Sequence, residues 1–257
     1  MLNYIRAEFY KVFRRKYTWI TLIVVLGLEA LLVSGWVFTN AHGNDIDFYT
    51  GATMAVTLLG MGFAATLLTG DMVFAGQYKN STLKNEVSFG LSRSRIYLGK
   101  LIVQTLLSVL YCVVMVAFYV GLCWLTLYHD PVRDELAMQI IGYCLATAFP
   151  LWIGVQALTC ACMFLIKSEI GGAFLSVGIF MILPNIIQIA ALLTGPDRPV
   201  GNALMTLYSY MPTVMADTAK ELVGDWACCG KAWIVGAVWL VVCTAIGLLG
   251  FHKKEIK

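Results

Sequence analysis

Three observations predict an all-α integral membrane protein with six transmembrane helices. Of the 257 residues, 60% are hydrophobic and only 13% charged, against about 45–50% and about 25% in soluble domains. Mean hydropathy is +0.78. Six apolar runs, each long enough to cross about 30 Å of hydrocarbon, lie at roughly 18–38, 51–74, 101–128, 136–166, 170–194 and 232–251. This composition excludes a soluble globular class. The net charge of +3 is too mild for a nucleic-acid-binding surface. The chain reads as one six-span domain over 1–257, with an interfacial helix at 1–17, a cytoplasmic loop at 75–100 and an external loop at 195–230.

The N-terminal stretch places Leu2, Ile5, Phe9, Val12 and Phe13 at helical spacing, while Arg6, Lys11, Arg14 and Arg15 fall elsewhere around the wheel. Such a basic amphipathic helix lies in the membrane interface, its cations toward anionic lipid. It serves equally as a topology anchor. The first apolar run is too long for a signal-peptide core and no small-x-small site follows it, so it is expected to stay as a span. Pro150 in the fourth run implies a kink or tilt. Pro184 and Asn185 interrupt the fifth, and lipid tolerates the freed backbone groups only where protein or water satisfies them.

Orientation follows from the basic residues. Arg6, Lys11, Arg14, Arg15 and Lys16 precede the first span. Lys79, Lys84, Arg93, Arg95 and Lys100 lie between the second and third. With Lys167, Lys253, Lys254 and Lys257 they put fourteen of the 18 basic residues on one side. Arg133, Arg198, Lys220 and Lys231 sit on the other, among acids running from Asp45 to Asp225. Both termini are therefore expected in the cytoplasm.

Between the second and third spans, Ser81 to Ser88 has the makings of a short helix, with Asn80 or Ser81 as N-cap. Gly90 suits its C-terminal stop, and Arg93 to Lys100 forms a basic ramp into the third span. On composition alone this is either a docking surface for a cytoplasmic partner or a solvated basic loop. In the loop at 195–230, Met205 to Tyr210 and Thr213 to Val223 fit short interfacial or re-entrant helices. Six of the eight cysteines lie in apolar stretches, where a thiol acts as a small hydrophobe. Cys228 and Cys229 fall in a loop, and none is assigned a function.

The motifs resemble the permease subunits of type-2 ABC exporters. There an acid follows the second span, then a run like GTLKN, then a stretch like G-[IL]-SR…IYLGK entering the third. Here the matching residues are Asp71, Thr82, Leu83, Lys84, Asn85, Gly90, Leu91, Ser92, Arg93, Ile96, Tyr97, Leu98, Gly99 and Lys100. Ile5 to Lys11 is similar to the connecting helix that opens these permeases, and Phe251 to Lys257 to their basic tail. Ser81 departs from the usual glycine, and Glu86 adds an acid. Among the members, the chain looks most like the short bacitracin- and lantibiotic-immunity permeases of bacterial cell membranes.

The resemblance implies an exporter in which Ser81, Thr82, Leu83, Lys84, Asn85, Glu86, Ser88 and Arg93 couple to cytoplasmic ABC ATPase subunits, two per complex. It also implies a second permease, identical or related, meeting this one through the second and fifth spans. There Gly51, Gly60, Gly62, Gly171, Gly172 and Gly178 permit close approach. Ile5, Arg6, Phe9 and Phe13 belong to the interfacial helix, which contacts membrane lipid. The external loop corresponds to a cap over the pathway.

No catalytic or nucleotide site is expected in the chain. Gly99-Lys100 and Gly230-Lys231 are the only Gly-Lys pairs, and neither has a glycine five residues before its own, as a P-loop needs. The chain then holds no cofactor or metal, and ATP and Mg are bound by the partner ATPase. Ionisable and polar groups within the spans are candidates for function. Glu29 either faces a polar pathway or is a protonated acid bonded to a neighbouring helix. Asn185 and Gln188 are candidates for lining a substrate path, as are Gln139 and Gln156, though interhelical hydrogen bonding explains all four. Asp71 is expected to be a structural clamp for an N-terminal arginine. The substrate is expected to be amphipathic or hydrophobic, a peptide antibiotic by likeness. Rival readings are an ion-coupled carrier using Glu29, and a non-transporting immunity or sensor scaffold.

Overall fold

Six helices of the computed structural model are long and apolar enough to cross a bilayer, and they give the protein its architecture. The structure describes the chain apart from residues 44, 76, 78–81, 167, 196–197 and 255–257. Among the described residues there are eleven α-helices and no strand. α1 (Leu2–Phe13) precedes the first span, α2 (Lys16–Ala41). α3 (Phe48–Phe74) is the second, and α4 (Thr82–Ser88) is a short helix in the connection to the third, α5 (Arg93–Thr126). α6 (Pro131–Leu165) is the fourth. The fifth is built from α7 (Glu169–Val177), a π-helical turn (Gly178–Ile182) and α8 (Leu183–Thr194). α9 (Pro199–Ser209) and α10 (Pro212–Glu221) lead to the sixth, α11 (Trp226–Lys253). The chain is a multi-pass membrane protein. The end of the bundle carrying α1, α4 and the C-terminal end of α11 is called the near face, its opposite the far face.

Helix ends are closed by charges of the appropriate sign. On the far face, the Asp47, Asp130 and Asp225 carboxylates accept the Thr50, Val132 and Ala227 amides that open α3, α6 and α11. On the near face, cations take the last carbonyls. Arg15 donates to Met72 and Ala75 at 2.6 and 2.9 Å. Lys254 donates to Phe164 at 2.7 Å. Arg93 donates to Phe251, His252 and Lys254. The two-sided charge distribution thus matches the helix macrodipoles as well as the topology rule.

α6 is the axis of the bundle. Its most apolar stretch is 72% buried, against 6% for α2, which lies at the periphery. α6 packs most closely on α11, where glycines bring backbone against backbone. A Cβ at Gly236 would overlap the Pro150 carbonyl, and one at Gly154 would lie 2.8 Å from Trp239 Cβ. Buried side chains gather in two cores. The near core includes Val12, Phe74, Leu83, Tyr97, Phe164 and Phe251. The far core includes Phe48, Tyr119, Leu127, Ile141 and Tyr143.

The stretch at 195–230 holds two short helices, α9 and α10, where the sequence suggests short interfacial or re-entrant helices. α9 turns back along α8, and Tyr210 at its end accepts a hydrogen bond from Trp239 Nε1 at 3.3 Å. Trp239 lies thirteen residues into α11, about 20 Å from its far end at 1.5 Å per residue. α9 and α10 therefore form a re-entrant hairpin reaching the middle of the bundle. Thr213, at the start of α10, donates to the Phe180 carbonyl at 3.0 Å. Pro184 leaves that carbonyl without its usual i+4 donor, so the hairpin satisfies the interruption of the fifth span. The sixth span begins at Trp226 rather than near 232, so Cys228 and Cys229 are buried helix residues, not loop residues. His252 likewise belongs to the last turn of α11 rather than to a tail.

Candidate coupling site

α4 is held against the near face by one side and open on the other. Leu83 is 4% exposed and belongs to the near core. The Thr82 hydroxyl donates to the Gln77 carbonyl at 3.1 Å. Gly90, at φ +86°, ends the helix as the sequence suggests. Its amide donates to Val87 and the Leu91 amide to Glu86, the paired bonds of a Schellman stop. Lys84, Asn85 and Ser88 point outward. Ser81, expected to open the helix, lies outside the described residues, as does Asn80. Phe89, just past the helix, is 88% exposed. One apolar residue in a polar loop carries no periodic signal, so its exposure is not legible in the sequence.

α1 joins α4 to the spans. Tyr4 Oη donates to Glu86 Oε2 at 3.1 Å, and its ring covers Gly99, where a Cβ would come within 2.5 Å of Tyr4 Cδ1. Burial, then the neighbouring Glu8 and Glu86 charges, raise the Tyr4 phenol well above its ordinary pKa. Glu8 receives Lys100 Nζ at 2.9 Å and Lys11 Nζ at 3.4 Å. Burial and then the Lys100 charge lower the Lys11 ammonium. The Lys100 side chain is fully buried, with its ammonium 5.6 Å from the Phe74 ring centre. The residue read as the end of a basic ramp is thus an internal cation. Ile5, Phe9 and Phe13 pack on the near core, while Arg6 is exposed. Leu2, expected on the apolar face, is 82% exposed, and Glu8 occupies the buried face instead.

The expected arginine does approach the end of α3, where Arg15 bonds the backbone carbonyls on either side of the turn that follows Asp71. Asp71 itself is hydrogen-bonded with Tyr17. Arg93, counted with the coupling residues, fastens α5 to the end of α11 and lies 5.7 Å over the Phe251 ring. Ser94 and His252 meet at 3.0 Å beside it.

Above α4 a buried polar network joins the spans that flank it to the central helix. Gln104 donates to Gln156 at 2.6 Å, and Gln156 donates to Ser108 at 2.6 Å and Thr69 at 3.4 Å. Ser108 donates to Thr69 at 2.6 Å, and Thr66 meets Thr159 at 3.4 Å. Gln156 is the hub, bonding α3 and α5 from α6. Gln156→Leu is expected to lower stability by about 1–2 kcal/mol, read as a drop in melting midpoint in detergent.

The other candidates stand apart from this site. Glu29 is half-buried on α2, and its Oε2 has no hydrogen-bond partner among the described residues. Asn185 donates to the Met181 carbonyl of its own helix at 2.6 Å, and Gln188 is half-buried one turn further on. Gln139 bonds Glu135 on its own helix. Of the glycines expected between permeases, Gly51 faces Leu127 and Trp36, and Gly172 faces the Met163 backbone, all within this chain. Gly62 and Gly178 face open space.

Five spans pack around a central one, α6, with a short helix slung between the second and third. Residues 4–185 match the family model described as ABC-2 family transporter protein, and the chain belongs to that family. It is a membrane permease of an ABC transporter, of a class that works with ABC ATPase subunits and is generally non-catalytic. No curated protein matches it.

Proposed function

We propose that this chain is the permease subunit of an ATP-driven exporter, with its near face in the cytoplasm of a bacterial cell and α4 as the element on which the ATPase acts. The observation that carries the reading is the mounting of α4. It hangs between α3 and α5, is anchored by Leu83, and is tied through Glu86 and Tyr4 to α1, with Phe89 projecting from its end. An isolated aromatic in a polar loop is a suitable anchor for a pocket on a partner. ATP and Mg are held by that partner, and closure of two ATPases presses on α4. The push passes through α3 and α5, switching the pathway between states that the partner binds unequally.

A second permease, identical or related, completes the pathway. The open side of α3, with Met54, Met61 and Leu68 exposed and Gly62 uncovered, favours this second reading of the assembly. The apolar bundle suits an amphipathic or hydrophobic substrate. Likeness to immunity permeases makes a peptide antibiotic the first to test.

The test is to tag the chain, extract it gently from its membrane and quantify what co-purifies. One P-loop ATPase per permease is expected. Phe89→Ala should reduce that ratio several-fold, and Thr82→Ala and Glu86→Gln should reduce substrate-stimulated hydrolysis, all without altering membrane insertion. Recovery of no ATPase with the unaltered chain in mild detergent and in nanodiscs would overturn the proposal. Transport by the chain alone, abolished by Glu29→Gln, would replace it with the ion-coupled carrier.

A further inference from the structure

The far-face turn between α5 and α6 carries a histidine whose two ring nitrogens both face oxygen acceptors. His129 Nδ1 lies 2.8 Å from Asp134 Oδ2, and Nε2 lies 2.7 Å from the Trp124 carbonyl. A neutral imidazole has one N–H, so beside a carboxylate and a carbonyl it satisfies only one contact. The imidazolium satisfies both. The surroundings suit that cation. Its ring lies 4.4 Å from Trp124 and 5.7 Å from Phe48, and aromatic faces favour cations. Asp134 Oδ1 is buried with no hydrogen-bond partner among the described residues, so the ring supplies the charge that this carboxylate needs.

The same turn holds the far end of α3. The Phe48 amide donates to the Tyr128 carbonyl at 2.8 Å. Phe48 packs edge-on against Trp124 at 5.1 Å, and Arg133 pairs with Asp47 and covers the Tyr49 ring at 4.8 Å. A groove of about 540 Å³ beside His129, lined by Trp124, Pro131, Asp134, Glu135 and Met138, opens this site to solvent protons. We infer that the α5–α6 turn is a proton-operated latch, in which the His129 imidazolium, held between Asp134 and the Trp124 carbonyl, fastens the far end of α3 and releases it on deprotonation.

The charged groups around the ring are Asp134 and Glu135 on α6, Asp130 in the turn, and the Asp47–Arg133 pair bridging α3 and α6. Acids outnumber bases there, which favours the cation. The hydrogen bond to Asp134 and then that to the Trp124 carbonyl raise the His129 pKa above its ordinary value, slightly opposed by burial. A group raised in the folded state contributes its full stability below the unfolded pKa and loses it as pH rises through the folded pKa. The latch is therefore closed in acid and opens toward alkaline pH. The inference does not rest on the reading of α4.

The test uses the full chain in nanodiscs with isotope-labelled histidine, the His129 signal being the one lost in His129→Gln. Nitrogen shifts should show both ring nitrogens protonated on the acid side of a titration midpoint that lies above that of a free histidine. Asp134→Asn should move that midpoint down. Hydrogen exchange, corrected for the intrinsic rate, should show protection at Phe48 to Gly51 falling through the same midpoint. A ring that titrates at or below the midpoint of a free histidine overturns the inference. So does α3 protection that ignores the titration. The exchange readout is taken on the unaltered protein, so a variant that fails to fold does not blunt the test.

Discussion

Glu8→Leu should destabilise the folded chain by about 3–5 kcal/mol, the usual loss when one member of a buried ion pair is removed. The Lys100 side chain is fully buried and that of Glu8 6% exposed. Among the described residues, the single change leaves Lys100 with only the Phe74 ring and strands Lys11 beside it. The decisive comparison is Glu8→Leu/Lys100→Met. Replacing a whole buried pair with apolar groups of similar volume is often neutral or stabilising, so the double variant should recover most of the loss. Thermal melting of the two variants in the same detergent checks this. Equal losses would mean that the packing of α1, rather than its charge, fixes it to α5.

Gly236→Ala should be damaging out of proportion to its size. The added methyl meets the Pro150 backbone, which has no rotamer to change, so α6 and α11 must move apart along their closest contact. Overpacking costs about 1–3 kcal/mol, and here it falls on the axis of the bundle. Gly62→Ala is the control, because its Cβ would enter open space and alanine favours the helix by about 1 kcal/mol. Melting should drop for the first and hold or rise for the second. If α3 forms the seam with another permease, Gly62→Ala should still weaken pairing, read as a shift in oligomer distribution.

The spans were legible because crossing hydrocarbon demands length and apolarity, both carried directly by the chain. α4 was legible from Gly90 and the motif around it. Burial was not. Lys100 and Lys84 look alike in sequence, yet one is internal and the other exposed, and the acid that pairs with Lys100 lies 92 residues away. Nor does a helix that is apolar all round say whether it meets lipid or protein, so α6 and α2 could not be ranked. For the two short helices expected at 205–223, only the choice between an interfacial and a re-entrant placement was hidden, and the reason is length. Helices of 11 and 10 residues fall short of a span, and their depth depends on contacts with α8 and α11 that no local pattern encodes. The start of α11 was masked by Gly230 and Lys231, polar punctuation inside a continuous helix.

Arg93 has a consequence for biosynthesis. Its carbonyl partners at the end of α11 lie 158 to 161 residues further along the chain, and Lys254 closes α6 from the same place. While the chain is being made, the beginning of α5 lacks these acceptors until the last span has been synthesised. In a chain halted before residue 251 the Arg93 guanidinium has none of its α11 carbonyls, and completion of α11 supplies all three in one step.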